Sequence, residues 1–173
     1  MLLSIVYQDE YLVAISKPPK LLVHRSMLDK HETQFAVQLL RDQIGQHVFP
    51  VHRLDKPTSG VLVFALSADV ARKLGEQFAS RNIKKTYLAI VRGHTMNEGE
   101  IEHPLKEKLD KIADKSIRPD KPAQVAFTHF SRLDKFELPF AVSKYASARY
   151  SLVQLTPKTG RKHQLRRHLA HIN

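Results

Sequence analysis

Apolar and polar positions alternate in short stretches separated by Pro, Gly and charged residues. Residues 2–7 and 11–16 read as two strands with Gln8-Asp9-Glu10 as the turn, and Lys17-Pro18-Pro19 stops the second. Residues 33–44 carry Val37, Leu40 and Ile44 at three- and four-residue spacing and close on Gly45, which predicts an amphipathic helix. Residues 61–66 are almost continuously apolar, as a buried strand is, and Ser67 then caps a helix in which Val70, Leu74 and Phe78 recur every four positions. Residues 85–92 alternate again and end at Gly93. Residues 106–122 are dense in charge and proline and read as an arm or loop. Residues 125–138 alternate as a hairpin would, 148–155 form a strand, Pro157-Lys158-Thr159-Gly160 a turn, and 161–172 a helix. The sum predicts an α+β fold: a mixed, mainly antiparallel sheet with flanking helices, in a single domain over 1–173.

Composition narrows the class. Of 173 residues, 42% are hydrophobic and 26% charged, enough for a packed core. No apolar run approaches the roughly 20 residues that span a bilayer, and the first residues lack the pattern of a secretory signal. With no cysteine, neither a disulfide nor a thiolate metal site can form, which suits a cytoplasmic protein. Lys and Arg number 28 against 17 Asp and Glu, a formal net charge of +11, which favours a polyanionic partner. The excess is steepest at residues 154–173. There Lys158, Arg161, Lys162, Arg166 and Arg167 stand with three histidines and no acid. That stretch has no Phe, Tyr or Trp, which argues for nucleic acid over a membrane surface.

Three constellations could carry chemistry. The first runs from Val51 to Gly60, a polar loop before a buried strand. Its one carboxylate, Asp55, lies among His52, Arg53 and Lys56, cations or near-cations that favour an ionised base or nucleophile. The competing reading is an Asp that only closes a turn. The second runs from Thr159 to Leu169, where a turn opens a helix and basic side chains could hold phosphate. Its competitor is a solvated basic face. Zinc is discounted, because only His168 and His171 share a helix face and no carboxylate is near. The third is Lys84-Lys85-Thr86-Tyr87, where the tyrosine could stack on a flipped base or simply fill the core.

In this order, H-R-L-D-x-x-T-S-G, K-x-Y-L-A-I-V-R-G and L-x-P-x-T-G-R-x-H-Q-L-R-x-H-L resemble the motifs of the RluA-type pseudouridine synthases. Tyr7-Gln8-Asp9-Glu10, Lys17-Pro18 and Val23-His24 resemble that family's start. Residues 41–49, 107–115 and 157–171 resemble its tRNA-modifying branch. The resemblance implies the pseudouridine synthase catalytic fold, an isomerase that turns uridine into pseudouridine in RNA, tRNA as the partner (at uridine 65), and neither metal nor organic cofactor. It implies that Asp55 acts on the sugar as nucleophile or general base. Tyr87 then stacks on the base, and Arg166 pairs with the aspartate, with Arg161 the alternative for that role. Arg53 helps extrude the nucleotide, and His52, Thr58, Arg161, His163 and Gln164 bind substrate. Family members continue past His-Leu-Ala-His with a further strand, so the chain reads as cut short at its C-terminus. A monomer without membrane attachment is the expected state. Three rivals stand beside this reading: a ribosomal RNA pseudouridine synthase of the same family, a nuclease with His52 and His168 as acid and base, and a non-catalytic RNA-binding module.

Overall fold

The computed structural model describes residues 1–25, 31–107, 122–142 and 145–172. The expected arm or loop at 106–122 lies, from 108 to 121, outside the described residues. The described residues gather into two compact units that part between Ile83 and Lys84.

The first unit holds β1 (Ser4–Gln8), β2 (Leu12–Lys17), α1 (Ala36–Ile44), β3 (Phe49–Pro50), β4 (Gly60–Ala65) and α2 (Ala68–Ala79). The strands form one sheet in the order β1-β2-β4-β3. Asp9 makes the first turn by accepting from the backbone N–H groups of Tyr11 and Leu12, each at 2.8 Å. On one face Val13, Ile15, Leu62 and Phe64 are fully buried, as are Phe35 and Leu40 of the α1 region. α1 has no side-chain cap. The carbonyls of Leu22 and Val23 instead accept from its free Ala36 and Val37 N–H groups at 2.9 and 3.1 Å. Gly45 ends it at φ 65°. Ser67 caps α2 as the sequence predicts, its hydroxyl accepting from Val70 N–H.

The second unit holds β5 (Tyr87–Arg92), β6 (Glu98–Glu102), β7 (Phe127–Leu138), β8 (Ala148–Pro157) and α3 (Gln164–His171). Its sheet runs β5-β8-β7-β6. Ile101, Phe130, Val153 and Leu155 are its buried centre, with Tyr87, Ala89, Val91, Leu165 and Leu169 packed against them.

The α+β class agrees with the sequence, with three differences. Among the described residues there are two four-stranded sheets instead of one, every strand pair in them is antiparallel, and the mixed character shrinks to a single parallel bridge, Leu22 to Phe35. Within residues 125–138 the structure has one long strand, Phe127–Leu138, and not a hairpin. A bulge between Arg132 and Asp134 breaks the alternation and imitates a turn.

Candidate active site

The loop between β3 and β4 carries the first constellation. Leu54 is buried and anchors it, and Asp55 beside it is half-buried. The Asp55 carbonyl accepts from Thr58 N–H at 2.9 Å, so Thr58 closes a tight turn around Pro57. Arg53 is exposed. Its charge adds to burial in pushing the His24 pKa below the usual histidine value. Lys56 pairs with Glu32 at 2.8 Å.

Under this loop lies a residue whose part is not legible from the local sequence. Lys17, the last residue of β2, is fully buried. Its ammonium donates to the carbonyls of Pro18 and Leu21, both at 2.8 Å, and to that of Lys56 at 3.4 Å. Burial pushes its pKa down, and the negative charge of Asp55 pushes it back up. The lysine that reads as the end of a strand thus ties the backbone next to Asp55 to the segment after β2. It also places a buried positive charge in the field of that carboxylate.

His52 is framework in this structure. Its Nε2 accepts from the Val63 backbone N–H at 3.0 Å, and its ring stacks on Phe78 at 4.9 Å between centroids. β3 pairs only through Phe49 and Pro50, so the imidazole takes over where the ladder stops.

The third constellation places Tyr87 half-buried at the start of β5, opposite Leu155. It faces the core on the side where Leu165 and Leu169 of α3 also pack, while Leu88 and Ile90 point outward and are about two-thirds exposed.

The second constellation is built around Gln164. Its side chain is buried, and all of its hydrogen-bonding capacity is used inside the unit. Its Oε1 accepts from Thr159 Oγ1 at 2.8 Å and from Arg161 N–H at 3.0 Å. Its Nε2 donates to the Phe127 carbonyl at 3.0 Å and to Thr128 Oγ1 at 2.9 Å. Thr128 is next to His168 Nδ1 at 3.0 Å, and His168 Nε2 meets the His103 carbonyl at 3.1 Å. A carbonyl only accepts, so Nε2 carries the proton and Nδ1 accepts from the threonine hydroxyl. His168 is fully buried, and burial pushes its pKa down. Gln164 is therefore the framework of the turn and not a group offered to substrate. The nuclease reading loses both its histidines, each with a nitrogen lone pair used internally.

What this framework presents is different. His163 is half-buried in the left-handed region at φ 56°, at the start of α3. Arg161 donates through Nε to the Val125 carbonyl at 3.1 Å, and Arg166 is exposed. Among the described residues no group of His, Asp and Glu could hold a metal ion, and no helix is long and apolar enough to cross a membrane.

The model of a family described as RNA pseudouridylate synthase matches residues 11–171. The chain belongs to that family. It is 60% identical over 172 residues to the tRNA pseudouridine synthase C of Pasteurella multocida, covering 99% of this chain and 71% of that protein. It is 61% identical over 171 residues to the protein of the same name from Vibrio cholerae, covering 99% and 70%. Among solved structures it resembles Human RNA Pseudouridylate Synthase Domain Containing 4, with TM-score 0.69 and 33% identity over 97% of this chain and 64% of that one. It also resembles Domain Containing 1, with TM-score 0.75 and 26% identity over 98% and 64%. The chain thus spans about 70% of these curated relatives and just under two thirds of the solved chains.

Proposed function

We propose that the chain carries the catalytic part of a tRNA pseudouridine synthase, both units serving one catalytic domain, with uridine 65 of tRNA as its target. The observation that carries this reading is the Asp55 turn, an ionisable carboxylate on a loop braced by the buried Lys17 ammonium. The 60% identity to proteins that bear the tRNA pseudouridine synthase C name supports the choice of tRNA.

The reaction is an isomerisation. The bond from the sugar C1′ to uracil N1 breaks, the base turns, and a bond from C1′ to uracil C5 forms. The C5 proton leaves and N1 gains one, so atoms and electrons balance without a redox partner. Asp55 acts on the sugar, by covalent attack or by taking a proton, and both routes need it ionised. Arg166 is the cation that keeps it so, by electrostatic preorganisation. A paired uridine must first leave its stack, at a cost of a few kcal/mol. Tyr87 returns about 1–3 kcal/mol by stacking on the base, and Arg53 helps extrude the nucleotide. His52 and Gln164 act as framework, and Thr58 shapes the Asp55 turn.

The test is tritium release from tRNA labelled at uracil C5, with Asp55→Ala alongside. Release by the native chain and none by the variant is expected. Release from ribosomal RNA alone would keep the chemistry and replace the substrate. No release from either RNA would overturn the reading.

A further inference from the structure

Beside α3 lies a cavity of about 180 Å³ lined by Leu105, Glu107, Gln124, Gly160, Arg161, Lys162 and Arg167. We propose that it is a seat for one backbone phosphate of the RNA, a role that rests on the RNA-modifying reading above and adds Arg167 to the residues that serve it.

The geometry favours an oxyanion. Arg161 is fixed at its Nε by the Val125 carbonyl, which leaves the two terminal nitrogens of the guanidinium for a bidentate grip. Arg167, one turn into α3, has its backbone N–H on the His163 carbonyl, and its guanidinium has no hydrogen bond or ion pair among the described residues. The floor is rigid, because Leu105 and Gln124 form an antiparallel bridge with N–H to O distances of 2.9 and 3.1 Å. Gly160 leaves one wall without a side chain, with nothing within 4 Å of where a Cβ would stand. Three cations against the single carboxylate of Glu107 give the lining a positive balance. A metal ion or a neutral base would meet two guanidinium groups there. A phosphate meets donors of matching charge and geometry.

Counterion release provides the readout. Each phosphate contact adds roughly 0.7–0.9 to the slope of log affinity against log salt. In the full chain, Arg167→Gln should lower that slope for tRNA by about one contact, weaken binding several-fold at low salt and raise KM for tRNA in the tritium assay. Arg167→Lys should recover part of it. Lys73→Gln, an exposed cation on α2, is the control for diffuse charge. An unchanged slope in Arg167→Gln, or an equal fall in Lys73→Gln, overturns the proposal. So does an Arg167-dependent affinity for inorganic phosphate with an unchanged tRNA slope, which would make this a site for the free anion. If the native chain released no tritium from any RNA while the slope still depended on Arg167, the catalytic reading would fail and this one would stand.

Discussion

The loop that carries Asp55 and the turn that opens α3 look alike in sequence, each a run of basic and polar residues next to an apolar element. Their construction is opposite. In the loop the support is borrowed: a backbone turn at Asp55 and Thr58, and a buried lysine from the end of another strand. In the α3 turn the support is the motif itself, because Thr159, Gln164 and His168 fold inward and bond to one another through Thr128. A polar residue in a motif is thus not evidence of contact with substrate. The buried, fully bonded members hold the shape, and the ones between them (Arg161, His163, Arg166 and Arg167) are half-buried or exposed.

This contrast can be broken at four points, from the largest effect to the smallest. Asp55→Asn should lower tritium release by about a thousandfold or more, with only a small fall in the urea midpoint, since the turn uses the Asp55 carbonyl and the carboxylate contributes only its charge opposite Lys17. A large loss of stability would show that the loop, too, is built from its side chains. Gln164→Leu should do the reverse. It strands buried donors and acceptors and lowers stability by about 3 kcal/mol in urea denaturation, with activity falling only as the folded fraction falls. His52→Ala leaves the Val63 N–H without its acceptor and should cost about 1–2 kcal/mol by the same measure.

The smallest effect is in pH. His168 has its pKa lowered on folding, so the unfolded chain binds its proton first. Its contribution is complete above the unfolded value near 6.5 and is lost as pH falls below that towards the folded value. His24 is shifted the same way and adds to the slope. Stability should therefore decline below about pH 6.5, before the carboxylates titrate, and the decline should be shallower in His168→Gln.

Much of this was legible before the fold. The hairpin of β1 and β2, the Ser67 cap, the Val70-Leu74-Phe78 stripe and the strand before α2 followed from spacing alone, and the three motifs pointed to the family. What escaped depends on distant neighbours. β6 reads Glu-Gly-Glu-Ile-Glu, with one residue for the core, and shows no strand signal until Phe130 is placed beside Gly99. A Cβ on Gly99 would come within 2.8 Å of that ring. The burial of Lys17 is set by carbonyls up to 39 positions away. The predicted start of the last helix at Arg161 moves to Gln164, because that glutamine holds the preceding residues in a turn.

The two strand bulges bear on how this chain can change length. Val6 and Leu133 are the residues left over where the pairing of β1 and of β7 slips by one. Both stand about half-exposed although apolar, Val6 at 54% and Leu133 at 53%. Deleting Leu133 would join Arg132 to Asp134 with every cross-strand partner kept, and Phe136 would still face Tyr150. Deleting Gln154 from β8 would turn half of that strand inside out, sending Val153 or Leu155 to the face that Leu152 now occupies. Gain or loss of a codon is therefore tolerable at these two positions and ruinous a few residues away, and homologous chains should differ in length at the bulges before they differ within the ladders.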